Sequence, residues 1–192
     1  MEPLKVQKSQ LRTELRARRK TADRAKLAED SESLCRRLLS LPEMQRAQTV
    51  FCYVSCGGEV ETHRLIEQLL AAGKRVAVPR CGRNGAMDAV CIGALDELQP
   101  AAMGILEPLP ETPAIAFSEI DFAVVPAVAC GKDGSRLGQG GGYYDRFLEK
   151  TSCAFAAVCL EAYLFPTLPC ESHDRFMKII VTQQRVLRFE EV

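Results

Sequence analysis

The sequence predicts an α/β fold of three layers, a mainly parallel sheet with helices on both faces, preceded by an amino-terminal helical pair. Three observations carry this expectation. Short apolar and β-branched runs of strand length recur from residue 49 onward, each bounded by Gly, Pro or polar residues. Helical segments separate some of them, and strands alternating with helices imply a sheet covered on both sides. A chain of 192 residues, with nearly half of them hydrophobic, is enough for a single domain (1–192) around one sizeable core.

The elements follow in order. Leu4, Leu11 and Leu15, then Leu27, Leu34, Leu38 and Leu41, recur at helical spacing, with Thr21 as the expected N-cap between the two helices. The strands read as "TVFCYV", "KRVAVP", "MDAVCI", "FAVVPAV", "CAFAAVCL" and "KIIVT". Between the first two, "THRLIEQLLAAG" has a threonine cap, apolar Leu65, Ile66, Leu69 and Leu70, and a terminating glycine, and so predicts a helix. The proline-rich region 87–117 predicts a short antiparallel piece and a surface loop. "GGYYDRFLEK" predicts the start of another helix.

Composition excludes several classes. Lys and Arg balance Asp and Glu at 25 each, so no global field draws the chain to nucleic acid or to a membrane. No run approaches the roughly 20 apolar residues that span a bilayer, and the amino end lacks a secretory core, which predicts a cytoplasmic protein. Nine cysteines without a Cys-x-x-Cys pair, most of them inside apolar strings, predict small packed hydrophobes and not a zinc site or disulfide framework. The charge balance is not uniform, because the first twenty residues carry seven Lys or Arg against two Glu.

The segment "GKDGSRLGQGGGYYDRFLEK" places five glycines from Gly134 to Gly142 between a buried-strand pattern and a helix start. In an open α/β sheet, ligands settle where such loops turn into helices, and bare amides at a helix start suit phosphate. A Walker A loop is excluded by the absence of Gly-Lys-Ser/Thr, and a dinucleotide fingerprint by the absence of an acid about twenty residues on. The glycines could instead build only a tight turn. Asp145 suits a magnesium ligand and equally a helix-start residue. Lys8, Arg12 and Arg16 stand at i, i+4 and i+8, with Arg19 extending the face. Such a stripe is either a solvated face or part of an anion site, and it contains one acid, Glu14, between Lys8 and Arg19.

In combination, "GSRLGQGGGYYDRFL" preceded by "DFAVVPAVA" resembles the signature of the 5-formyltetrahydrofolate cyclo-ligase family. "KSQLR" (8–12), "GEVET" (58–62), "VPR" (78–80), "MGILEP" (103–108) and "LPCESHD" (168–174) agree in order and spacing, so the resemblance spans nearly the whole chain. It implies a Rossmann-like arrangement related to sugar-phosphate isomerase and CoA-transferase folds. It also implies ATP- and magnesium-dependent (Mg2+) closure of 5-formyltetrahydrofolate, with or without a polyglutamate tail, to 5,10-methenyltetrahydrofolate by a monomer. A folate- or nucleotide-binding protein of the same fold with impaired catalysis is the alternative.

Residue by residue, the resemblance implies an ATP site from Lys8, Ser9, Gln10, Leu11 and Arg12 together with Arg136, Leu137, Gly138, Gln139, Gly140, Gly141, Gly142, Tyr143 and Tyr144. Cys56, Glu61 and residues 139–143 are the implied folate contacts, and Asp145 and Asp174 the implied metal ligands. Lys8, Arg12, Arg136 and Tyr143 are the expected catalytic residues. His173 and Asp174 are either site-wall residues or a turn. Three positions depart from the pattern: Gly131 and Lys178 stand where relatives commonly carry Asp, and Gly141 where some carry Lys. The loss of two carboxylates predicts an altered metal environment, with Lys178 offsetting lost metal charge.

Overall fold

The computed structural model describes residues 3–82, 85–101, 104–171 and 174–190. Its centre is an eight-stranded sheet, which in spatial order runs β13 (Val186–Arg188), β12 (Ile179–Val181), β10 (Ala154–Val158), β7 (Phe122–Pro126), β1 (Thr49–Cys52), β2 (Arg75–Cys81), β3 (Met87–Ile92) and β6 (Ala114–Ile115). The five strands from β12 to β2 are parallel, and β13, β3 and β6 are antiparallel additions at the two edges. All six strands expected from the sequence are present. The antiparallel piece expected in 87–117 comprises β3, β6 and a two-stranded ribbon of β4 (Leu98–Pro100) and β5 (Leu106–Pro108).

Alternation along the strands divides the core between the two faces. On one face Val50, Cys52, Phe122, Val124, Ala156 and Val158 pack with Leu34 and Leu38 of α2 (Arg24–Ser40), Met44 of α3 (Pro42–Arg46), and Leu65, Ile66 and Leu69 of α4 (His63–Ala71). On the other, Phe51, Ala123, Val125 and Ala157 meet Leu15 of α1 (Leu4–Lys20) and Phe147 and Leu148 of α5 (Tyr143–Lys150). Part of that second layer is itself a small sheet of β8 (Ala129–Gly131), β9 (Arg136–Leu137) and β11 (Leu164–Phe165). The Phe147 ring lies 4.7 Å from Phe51 and 4.9 Å from Phe117, so α5 is seated on the middle of the sheet.

Two expected caps are revised. Thr21 ends α1, and Asp23 caps α2 by accepting from the Ala25 and Lys26 N–H groups, because its carboxylate reaches the orphan amides that Thr21 is too early to meet. Thr62 precedes α4 but makes no capping bond; its hydroxyl donates to Tyr53 O at 2.7 Å and accepts from Ser55 N–H at 3.0 Å. The expected glycine end of α4 holds: Gly73 has φ of 76°, and Gly73 and Lys74 N–H return to Leu70 O and Leu69 O. All nine cysteines are free, and Cys35, Cys52, Cys130 and Cys159 are buried as packed hydrophobes. Among the described residues, no helix is long and apolar enough to cross a membrane.

Candidate active site

From β1 the chain steps outward to β2 on one side, and from β7 to β10 and β12 on the other. The carboxyl ends of β1 and β7 therefore flank a topological switch point, the place in an open α/β sheet where a crevice forms. The 53–62 loop leaves β1 at this edge, and the chain past β7 presents the Pro126, Ala127 and Val128 carbonyls. The glycine segment divides in two here. Residues 131–135 close the β8–β9 hairpin, with Gly131 N–H donating to Ser135 O, so this half is a turn and not part of a ligand loop. Residues 138–142 link β9 to α5 beside the crevice.

Gly140 (φ 99°) and Gly142 (φ 67°) occupy the left-handed region that favours glycine. A Cβ at residue 140 would also stand 3.4 Å from the Arg12 guanidinium carbon, and one at 142 would stand 2.7 Å from an Arg146 nitrogen. Among the described residues, the N–H groups of Gln139 to Asp145 have no hydrogen-bond acceptor. Seven donors in sequence, four of them in or just before the first turn of an eight-residue helix, make an electropositive rim.

The cationic stripe of α1 is not a solvated face. Each of its four members bonds to a residue outside the helix, Arg12 and Arg16 both to the 138–142 link. Lys8 Nζ lies 2.7 Å from Glu171 Oε2 and 2.5 Å from Asp174 Oδ2. Arg12 Nε donates to Gly138 O at 2.8 Å. Arg16 donates to Gln139 O at 3.1 Å and to its side-chain Oε1 at 2.9 Å. Arg19 donates to Ala127 O at 2.7 Å and Val128 O at 2.9 Å, with its guanidinium carbon 5.2 Å from the Tyr163 ring centroid. The terminal nitrogens of Arg12 have no acceptor among the described residues, so its fork remains available. Burial lowers the Lys8 pKa, but the bonds to Asp174 and Glu171 outweigh that and hold it above the usual lysine range. Burial, then the Arg16 charge, lowers that of Arg12.

The two expected metal carboxylates each hold a cation. Asp145 Oδ1 accepts from Arg136 at 2.6 Å, and the same buried guanidinium donates to Pro126 O at 3.1 Å. Asp174 Oδ2 receives Lys8 and the Glu171 N–H. No cluster of three or more His, Cys, Asp or Glu that could cage a metal exists among the described residues. The donor set fits a magnesium ion that arrives on phosphate and takes one or two carboxylates, because that ion keeps waters and phosphate oxygens as its other ligands.

From the loop after β1, Glu59 reaches the glycine loop. Its Oε1 accepts from Gln139 Nε2 at 3.3 Å and its Oε2 from Cys56 N–H at 3.2 Å. Glu61 is exposed two residues on, its N–H held by Ser31 Oγ at 3.0 Å. The structure therefore gathers Lys8, Arg12, Arg136, Leu137, residues 138–145 and Asp174, with Cys56 joined through Glu59. Ser9 and Gln10 are exposed on α1, and Leu11 is half-buried against the core. Tyr143 is half-buried, with Arg146 5.9 Å from its ring centroid, and the Tyr144 hydroxyl is buried without a partner. Sequence reasoning missed Glu59, Glu171 and Arg146; all three lie inside quoted motifs, and nothing in their residue type separates them from surface charges.

The departures prove local. A Cβ at Gly131 would lie 2.2 Å from Asp133 Oδ1, so the Asp133 carboxylate already fills that space and accepts from Ser135 N–H and Oγ at 3.0 and 2.5 Å. Lys178 precedes β12 at the amino-terminal edge of the parallel strands, opposite the loop. At Gly141 a Cβ would meet the Tyr143 ring at 2.7 Å. His173 lies outside the described residues.

A doubly wound sheet with a phosphate-suited glycine loop at its switch point, closed by a cationic helix, defines an α/β protein built to bind a polyanion. Residues 4–183 match the 5-formyltetrahydrofolate cyclo-ligase family, and the chain belongs to it. It is 34% identical to the 5-formyltetrahydrofolate cyclo-ligase of Mycolicibacterium smegmatis, over 93% of this chain and 94% of that protein. Identity to the Escherichia coli K12 enzyme of the same name is 33%, over 90% of this chain and 98% of the other. Among solved structures, the 5,10-methenyltetrahydrofolate synthetase of Aquifex aeolicus superposes with a TM-score of 0.85 at 29% identity, covering 96% of this chain and 94% of that one.

Proposed function

We propose that the protein is an ATP-dependent 5-formyltetrahydrofolate cyclo-ligase. The observation that carries this reading is the row of unpartnered amides from Gln139 to Asp145 beside the open fork of Arg12. A formamide oxygen is a poor leaving group. In the proposed reaction it attacks the γ-phosphorus of ATP and ADP departs; the neighbouring folate nitrogen then bonds to the formyl carbon, phosphate leaves with the oxygen, and the nitrogen's proton goes to the phosphate. The protein's own work is alignment and charge screening. The loop amides and Arg12 hold phosphate oxygens. Lys8, held between Glu171 and Asp174 at the far end of the same stripe, belongs to the proposed nucleotide contacts. Glu59, with Cys56 and Gln139, lines the folate side, and the implied contact from Glu61 belongs to the same wall.

Magnesium, held by Asp145 with Asp174 as a second candidate, would neutralise phosphate charge when bound. Arg136 keeps the Asp145 carboxylate oriented at the start of α5. Tyr143 belongs to the same proposed contact set. A cytoplasmic monomer that accepts folate with or without a polyglutamate tail, and neither nucleic acid nor membrane, completes the reading. Purified protein given ATP, magnesium and 5-formyltetrahydrofolate should develop the absorbance of the methenyl product. Product formation that is equal without ATP, or absent with it, would end the assignment.

A further inference from the structure

Three carbonyls of the glycine segment are tied back by guanidinium groups. Arg12 Nε takes Gly138 O at 2.8 Å, Arg16 takes Gln139 O at 3.1 Å, and Arg146 on α5 takes Gly141 O. Arg146 also donates to Gly85 O at 3.0 Å, so it is braced from the β2–β3 turn. Arg16 is braced through the Gln139 side chain, which passes on to Glu59. Among the described residues all the peptide bonds are trans. In a trans peptide the N–H points opposite to the C=O of the preceding residue. Fixing the carbonyls of 138, 139 and 141 therefore aims the N–H groups of Gln139, Gly140 and Gly142 away from the three arginines. Those amides are among the ones that lack an acceptor.

We propose that Arg16 and Arg146 are positioning residues of the nucleotide loop: by holding the Gln139 and Gly141 carbonyls they aim the Gly140 and Gly142 amides at phosphate. The inference rests on the reading that this loop takes the triphosphate. Glycine explains the need for it. Gly140 and Gly142 have φ values of 99° and 67°, and a segment so rich in glycine has many peptide orientations open to it in the absence of outside ties. Each tie removes one of those orientations before the ligand arrives, so binding a phosphate costs less ordering entropy. Neither arginine needs to touch the nucleotide for this effect.

The test uses isotope-labelled full-length protein and the variants Arg16→Met, Arg146→Met, Arg16→Lys and Arg146→Lys. In the wild type, magnesium ADP should move the amide protons of Gly140 and Gly142 downfield, and adenosine should not. Arg16→Met should lose the Gly140 movement and keep that of Gly142, and Arg146→Met the reverse. The loss of one aimed charge-assisted contact should raise the KM for ATP about tenfold in each methionine variant, with kcat and the KM for folate changed less than about twofold. The lysine variants, which keep one donor, should recover part of the loss. An unchanged KM for ATP in both methionine variants overturns the proposal, and so does a uniform loss of all loop shifts in either. A methionine variant that melts below the assay temperature leaves the decision to the wild type, where equal movement with adenosine, or none with magnesium ADP, is also fatal. Wild-type protein that shows the amide movement without ATP-dependent product would sink the ring-closure reading and leave the positioning roles standing.

Discussion

Tyr144 and Lys8 mark two opposite ways in which single residues prepare this site. Among the described residues the buried Tyr144 hydroxyl has no partner, nor have the Nε atoms of Arg19 and Arg136. Burial, then the nearby Cys52 and Glu59, pushes its pKa well above that of an ordinary phenol, so it stays a neutral donor. An unsatisfied hydroxyl destabilises the free protein, so Tyr144→Phe should leave the unfolding free energy unchanged or raise it by up to about 1 kcal/mol while weakening ligand binding. Chemical denaturation beside a KM measurement checks this; a clear loss of stability would mean that the hydroxyl is satisfied. Lys8 is the reverse case, a buried cation held by two carboxylates. Lys8→Met leaves Glu171 and Asp174 facing each other without it, and should cost about 3 kcal/mol in urea denaturation as well as raising the KM for ATP. The spacing of Lys8, Arg12, Arg16 and Arg19 was legible in the sequence as a single face. Their acceptors were not, because three of the four residues bond to backbone carbonyls, which no residue type announces.

At the scale of elements, α1 is a strap fastened at four points, with Leu15 as its buried ridge. Arg19 alone makes two carbonyl bonds, so Arg19→Met should destabilise the protein by about 2 kcal/mol and increase proteolysis between α1 and α2. The carboxylate of Asp121 ties the amino ends of β1 and β7 by accepting the Gln48 and Thr49 N–H groups at 2.9 and 2.8 Å. The Thr49 bond, then that of Gln48, holds its pKa below the usual aspartate value. The folded value is thus the lower one. Its stabilising effect is complete above the unfolded value of about 4 and is lost as pH falls through the folded one. The melting temperatures of wild type and Asp121→Asn should therefore differ most near neutrality and converge in acid; a gap that widens on acidification would contradict this. Six of the eight strands of the central sheet were readable because each is mostly a run of buried apolar residues; the edge strands β6 and β13, short and partly exposed, were not. The β8–β9–β11 sheet was not, since strands of two or three residues carry no period, and Arg136, Leu137 and the hairpin turn looked continuous with the ligand loop. The Asp23 cap was missed for a simpler reason: Thr21 and Asp23 are both good capping residues, and tertiary packing set where α2 begins.

In the whole molecule, the strand order places the loops after β1 and β7 at one edge, and the cationic helix and the glycine segment meet there. The general location proposed for the site followed from sequence alone, through the alternation of elements and the glycine signature. Its internal pairing did not: the Asp145 to Arg136 and Asp174 to Lys8 contacts join residues whose roles had been assigned separately. The substitutions at Gly131 and Lys178 show the same limit. Their weight depends on distance from the loop, and in the fold one lies against Asp133 and the other at the opposite sheet edge. A crystal structure with magnesium ADP is the most direct measurement of what this arrangement is for. It should show phosphate oxygens about 2.9 Å from the amides of Gln139, Gly140 and Gly142, with a terminal nitrogen of Arg12 on the same phosphates. Phosphates bound elsewhere, with those amides still facing solvent, would contradict the site described here.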